Sequence, residues 1–191
     1  GVPTGASQTI DGNDFDKGDS IVCSATPSDG TDSGPTVVSG SVVVENTAPS
    51  LTGVDIVPNT AAYADTNFSA VAQGWADLDP ADSTPSVDYS WTVNGSPVGT
   101  NSPVLAPGPF GRGDTVVVTA TPTDGAAAGS PVTSASVVIL NSLPTAPGVS
   151  ISPSNPAVMD DLFCSVHTPS TDADGDPVTY SYLWTLSSSP V

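Results

Sequence analysis

Residues 17–30, KGDSIVCSATPSDG, and residues 112–125, RGDTVVVTATPTDG, align without a gap at an offset of 95 residues. Each stretch opens with a Gly-Asp turn, continues with β-branched residues, and closes with an Asp-Gly turn. This pattern predicts a β-strand between two tight turns. Because it occurs twice at a fixed spacing, the chain is predicted to be a tandem repeat.

The composition of the whole chain favours an all-β fold. The 191 residues include 18 glycines and 20 prolines, and dipeptides typical of turns recur along the sequence. Helix-forming residues are scarce, whereas Val, Thr and Ser are frequent. These features predict β-sandwich domains, and the 95-residue period predicts about two domain equivalents.

The net charge of −18 arises from 20 acidic residues and only two basic ones, Lys17 and Arg112. Such a chain repels nucleic-acid phosphates and anionic lipid headgroups, so no nucleic-acid partner is expected. No apolar run approaches the ~20 residues that cross a bilayer, so no membrane insertion is expected within this segment. The absence of a signal peptide and a start in mid-domain predict an excerpt of a longer secreted protein.

Two proline-containing linkers, residues 46–49 and 141–147, divide the chain into three predicted segments. Residues 1–46 are the C-terminal half of a domain, residues 47–142 a complete domain, and residues 143–191 the N-terminal half of another. Asn94-Gly95 is predicted to form a tight hairpin turn. The predicted strands include residues 8–10, 53–57, 67–72 and 87–93 and, in the last segment, a third strand that contains Trp184.

The two incomplete segments match each other across the ends of the sequence. Residues 184–191 followed by Gly1 align with residues 91–99, so that Pro-Val-Gly is regenerated across the join. The chain is therefore interpreted as one two-domain period of a longer array, interrupted in mid-domain. The alternative is that separate chains complete one another's half-domains.

Four short stretches resemble a family. Residues 162–166 (LFCSV), 170–176 (STDADGD), 180–184 (YSYLW) and 26–30 (TPSDG) are similar to the tandem immunoglobulin-like repeats of very long secreted and surface proteins of bacteria. The resemblance implies Greek-key β-sandwiches in an extracellular or cell-surface stalk, adhesin or filament, whose partners are other copies of the same repeat. It provides no catalytic residues to carry over.

The resemblance also implies a role for the two cysteines. Read across the join, Cys164, Trp184 and Cys23 follow the Cys, Trp, Cys order of immunoglobulin domains, which implies a disulfide in the completed domain and an oxidising compartment. The alternative is two buried free thiols. The complete domain has Ser69 and Val118 at the cysteine positions, and Trp91 and Val118 are expected in its core. Trp184 is expected in the core of the domain that is completed across the join.

Alternating aspartates in two loops are candidate Ca²⁺ ligands, because Ca²⁺ prefers carboxylate oxygens. One loop offers Asp172, Asp174 and Asp176, and the other offers Asp77, Asp79 and Asp82. The alternative is a solvated turn in which Asp and Gly serve backbone geometry. No other cofactor is expected.

Three aromatic residues are candidate contact residues. Phe68 and Phe163 alternate out of phase with Ser69 and Cys164, so both rings face outward if the cysteine faces the core. A strand bulge that turns the rings inward is the alternative. Trp75 precedes the acidic loop and is also expected to be exposed.

The function expected from these features is mechanical: a rigid, acidic stalk or filament of a bacterial surface protein. One alternative is a carbohydrate- or cell-surface-binding module with Trp75 at its face. A second is a self-assembling fibre subunit that completes neighbouring domains. An enzyme is not expected, because the sequence offers no paired nucleophile and base and no phosphate-binding loop.

Overall fold

The structure is a computed structural model that describes residues 7–79, 85–99, 101–186 and 189–190. The described part is essentially all-β, as predicted, and its one helical turn is the 3-10 segment Gly12–Asp14. The strands are β1 Ser20–Ile21, β2 Ser24–Ala25, β3 Val37–Val38, β4 Val42–Val43, β5 Gly53–Val57, β6 Phe68–Gln73, β7 Ser86–Val93, β8 Ser96–Val98, β9 Val104–Leu105, β10 Thr115–Thr123, β11 Val132–Thr133, β12 Val137–Val138, β13 Gly148–Ser152, β14 Phe163–Thr168, β15 Thr185–Leu186 and β16 Ser189–Pro190.

The middle of the chain contains the two largest sheets. One has the order β11-β10-β7-β8, with β12 also beside β10, and the other has the order β5-β6-β9. The β7–β8 pair is antiparallel and turns at Asn94 and Gly95, whose φ angles are 51° and 78°. These positive φ angles are those of the predicted tight hairpin turn.

The core lies in this middle part of the chain. Within the described residues, every buried apolar side chain falls between Pro49 and Ile139. Phe68 on β6 packs against Trp91 on β7 and against Phe110, with ring centroids 6.4 Å and 5.2 Å apart. Trp91 and Val118, the two residues of this segment expected in the core, are both fully buried.

The strand pairs of the first segment have the same register as those of the middle segment. We call a residue 95 positions away a counterpart. Ser20 of β1 pairs with Val43 of β4, and their counterparts Thr115 and Val138 are paired as well. The same correspondence holds for two further pairs: Ser24 with Val38, and Thr119 with Thr133.

The first and last segments differ from the middle one in burial. Val37, Val38, Val42 and Val43 of the first segment are all more than half exposed, although they are paired within their strands. The strand predicted at residues 8–10 does not form, and the strand predicted to contain Trp184 is limited to the two-residue β15, which begins at the next residue, Thr185. Strand pairing without a covered face is the common property of both segments.

The chain divides into two compact units. One comprises Gly1–Val54, Ala72–Tyr89 and Thr119–Thr133, and the other comprises Asp55–Val71, Ser90–Val118 and Ser134–Val191. Each unit contains one of the two linkers. Among the described residues, no helix has the length and apolar character needed to cross a membrane.

Candidate functional sites: two linker junctions and an apolar groove

The first linker is held by residues from both of the segments that it connects. Lys17 Nζ donates to Asn46 Oδ1 over 2.6 Å, and Asn46 Nδ2 donates to Asp124 Oδ2 over 3.1 Å. The next residue, Thr47, donates its backbone N–H to Asp79 Oδ2 over 2.5 Å. We call these five residues the first junction. Its hydrogen bonds fix a linker that prolines already stiffen.

Close backbone packing also restrains the first linker. A Cβ atom added at Gly129 would lie 1.8 Å from the carbonyl oxygen of Pro49. Pro49 is itself fully buried. Only glycine therefore fits at position 129 without moving the linker.

The second linker has the same arrangement at counterpart positions. Arg112 donates to Asn141 Oδ1 over 2.5 Å, and Ser142 donates its backbone N–H to Asp174 Oδ2 over 2.5 Å. Arg112 also forms an ion pair with Asp176. We call these five residues the second junction. Both basic residues of the chain therefore contact a linker asparagine.

The second junction leaves two buried oxygens without a partner among the described residues. They are Ser142 Oγ and Asp174 Oδ1. In the first junction, Asp124 Oδ2 accepts a hydrogen bond from Asn46, and no described side-chain atom is buried without a partner. A buried polar group without a partner is costly, so these atoms mark where the second junction is less well satisfied than the first.

The predicted calcium ligands have other partners. Asp77 and Asp172 accept backbone N–H groups from Asp79 and Asp174, over 3.0 Å and 2.9 Å. Asp82 lies outside the described residues. In the part of the chain that the structure describes, no group of three His, Cys, Asp or Glu side chains is arranged to hold a metal ion. The calcium role gains no support from this geometry and stays a prediction.

Three turn aspartates are stabilised in their charged form, and two of them, Asp29 and Asp124, are counterparts. The backbone N–H groups of Asp32 and Thr31 lower the pKa of Asp29. Hydrogen bonds from Ala127, Asn46 and Ala126 lower the pKa of Asp124, chiefly the bond from the Ala127 backbone, although burial opposes the shift. The pKa of Asp114 is lowered by the backbone N–H of Gly111 and by the side-chain amide of Asn94. Ionised carboxylates therefore hold these turns.

An apolar groove of about 410 Å³ lies in the last segment. Ile151 on β13 pairs directly with Cys164 on β14, which places both side chains on one face of the sheet. Trp184 lies along the same groove and is about one-third exposed. The complete lining is Val149, Ser150, Ile151, Cys164, Tyr182, Leu183 and Trp184. Trp184, expected in a core, thus lines an open surface in this chain.

Both cysteines are free thiols in this chain: Cys23 is exposed, and Cys164 is half-buried in the groove. Their counterparts in the middle segment are Val118, which is fully buried, and Ser69, which is exposed. The middle segment therefore does not place these two positions on a common buried face. The disulfide stays a prediction for a completed domain.

The outward direction expected from the strand alternation is wrong for Phe68. Phe163 is 69% exposed, whereas Phe68 is fully buried. Phe68 pairs with Leu105 of β9, which is buried on the same face, whereas the outward-facing Ser69 pairs with the half-exposed Val104. Phe68 is therefore a core residue and not a contact residue. Trp75 is partly exposed.

Sequence reasoning did not identify the junction residues Lys17, Asn46, Arg112 and Asn141 as a set. The signal was present, because each basic residue and each asparagine recurs at the offset of 95. Comparison of the chain with models of protein families, with curated proteins and with solved structures finds no match. The geometry of this chain is therefore the basis for a functional proposal.

Proposed function

We propose that this chain is a structural element of an extracellular stalk or filament, built from tandem immunoglobulin-like sandwiches on the surface of a bacterium. The observation that carries the proposal is the recurrence of the junction. Lys17 with Asn46, and Arg112 with Asn141, form the same side-chain contact at both linkers. A protein that needs fixed angles between successive modules requires such a contact at every linker.

The chemistry of the surface supports a mechanical role. A net charge of −18 keeps such a chain soluble and opposes non-specific association. The junction bonds join linker residues to groups that are 29 to 78 positions away in the sequence, so a linker bends only if they break. An ion pair as exposed as Arg112 with Asp176 contributes about 0–1 kcal/mol. The hydrogen bonds to the linker backbone carry the remainder of the restraint.

Small-angle X-ray scattering of the full chain tests the proposal. The double variant Asn46→Ala, Asn141→Ala removes the side chains that the basic residues bind. We expect the wild-type profile to fit one rigid shape and the double variant to require an ensemble with a larger radius of gyration.

The matched control is Asn155→Ala, an exposed asparagine whose side chain bonds, among the described residues, only to the neighbouring Ser154. It is expected to scatter like the wild type. Equal flexibility of the wild type and the double variant would contradict the proposal, because the junctions would then impose no angle.

A further inference from the structure

We infer that the apolar groove is the docking site for the strand pair at residues 20–44 of a second copy of this chain. The inference rests on the proposed function and names the partner that completes the last segment. The second copy is another molecule or a further period of the same array, and the experiment below distinguishes the two.

The β13 side of the groove has a covered counterpart in the middle segment. Val54 and Ile56 are buried there, with exposures of 5% and 2%. Their counterparts Val149 and Ile151 are both more than half exposed. These two positions therefore lie in a core in the middle segment and on an open surface in the last segment, whereas Cys164 of the groove corresponds to the exposed Ser69.

The middle segment shows which residues would cover the groove. In the middle segment, β10 and β12 provide a buried apolar set, Val116, Val118, Val137 and Ile139. Their counterparts are Ile21, Cys23, Val42 and Val44, in or beside the strands of the first segment. The first segment thus presents the apolar side chains that the groove lacks.

The donor strands are already paired in the required register. Ile21 pairs with Val42, as Val116 pairs with Val137. Docking therefore does not have to form this strand pair, which lowers the entropic cost of association. Each copy has one groove and one donor pair, so the contact is head-to-tail and generates an open filament or a closed ring.

Two adjacent valines provide a matched test. In this chain Val42 is 64% exposed and Val43 is 59% exposed. Their counterparts differ sharply, because Val137 is 4% exposed and Val138 is 52% exposed. Docking therefore buries Val42 and leaves Val43 at the surface.

The experiment is sedimentation velocity of the full chain over a range of concentrations. We expect the wild type to associate, more strongly at high salt because like-charged copies repel each other. Val42→Asp should weaken association by more than about 100-fold, since docking would bury an unpaired carboxylate. Val43→Asp should associate like the wild type. Compared at a concentration at which the wild type is dissociated, both variants should retain its tryptophan fluorescence, which then reports an intact core around Trp91 and not the docking of the groove at Trp184.

Mixing provides the decisive measurement. Ile151→Asp damages the groove but leaves the donor strands intact, and Val42→Asp does the reverse. Neither variant should associate alone, whereas an equimolar mixture should form a 1:1 dimer that cannot extend. Ser152→Asp, at the counterpart of the half-exposed Val57, is the control on the acceptor side.

Three outcomes would overturn the inference: a wild type that is monomeric at every concentration, equal effects of Val42→Asp and Val43→Asp, or a mixture that stays monomeric. Dissociation on dilution identifies separate molecules, whereas a species that persists on dilution and has a multiple of the chain mass identifies a covalent array. Junction variants that become flexible while docking fails would leave the proposed function standing.

Discussion

The strand pairs at residues 20–44 and 115–139 share a register but differ in surroundings. Gly18 donates its N–H to Val44 O over 3.0 Å, and Gly113 donates to Ile139 O over 2.9 Å. Val137 is buried, whereas its counterpart Val42 in the first pair is largely exposed. The comparison shows that turn chemistry and local pairing form each strand pair, while burial requires a second sheet.

The largest expected effect comes from the phenylalanines that differ in burial. Phe68→Ala empties a site between Trp91 and Phe110, and we expect it to reduce the free energy of unfolding by about 3–5 kcal/mol. Phe163→Ala should change it by less than about 0.5 kcal/mol, because the ring is largely exposed. Urea denaturation of both variants at low protein concentration measures the difference. Similar losses for both would mean that the last segment is covered in solution.

A pair of glycines sharpens the comparison at the first linker. A Cβ atom at Gly129 would collide with the Pro49 carbonyl, whereas one at Gly34 would meet only the Pro27 ring at 2.9 Å. We expect Gly129→Ala to lower stability by about 1–3 kcal/mol, as overpacking does, and Gly34→Ala to lower it by less. Thermal unfolding monitored by tryptophan fluorescence reports both changes. A Gly129→Ala protein as stable as the wild type would show that the linker does not pack there.

The turn aspartates predict a difference in acid stability. The pKa of Asp124 lies below its ordinary value of 3.8, so the carboxylate stabilises the fold above that pH. This contribution is lost as the pH falls below 3.8 and through the lowered pKa. Asp124→Asn should therefore flatten the decrease in stability between pH 5 and pH 2, and Asp29→Asn should flatten it as well, because the pKa of that carboxyl is also lowered by its turn.

Urea midpoints measured across that pH range test this prediction. The control is Asp161→Asn, an exposed carboxylate. If Asp124→Asn reproduced the wild-type pH profile, Asp124 would not be a source of acid sensitivity.

The smallest effect is expected at the second junction. Asp176→Ala removes an ion pair whose two side chains are 48% and 39% exposed, and should cost less than about 1 kcal/mol. Because the pair is exposed to solvent, the cost should shrink further at high salt. Unfolding free energies at low and high ionic strength measure it. A salt-independent loss would indicate that Asp176 acts through a contact other than Arg112.

These contrasts also explain which features the sequence could reveal. The Gly-Asp turn at Gly113 and the hairpin at Asn94-Gly95 were predictable, because positive φ and side-chain bonds to nearby backbone are local properties. The inward direction of Phe68 was not, since it depends on Leu105 and Phe110, distant residues that share its face. The alternation of side chains along a strand shows which residues share a face, but not which of the two faces points to the core.

The candidate sites follow the same division. The groove residues Val149 and Ile151 were recognisable as counterparts of Val54 and Ile56, because the offset preserves residue type. The engagement of Asp79 and Asp174 with linker N–H groups was not, since it depends on how a loop folds back to a linker 32 residues away. The sequence therefore left these carboxylates open between Ca²⁺ ligands and turn residues, because the linker N–H groups that they accept from could not be foreseen.

The two Gly-Asp turns also determine how the chain resists proteolysis. Trypsin cleaves after basic residues, so its only two sites are the bonds Lys17–Gly18 and Arg112–Gly113. The N–H of each scissile bond is itself hydrogen-bonded, to Val44 O and to Ile139 O. Cleavage must wait for the strand pair to open, so each nicking rate measures a local opening equilibrium. Because Lys17 lies beside an uncovered strand pair, trypsin should cut after Lys17 faster than after Arg112. A slow cut after Lys17 would show that another part of the protein covers this strand pair.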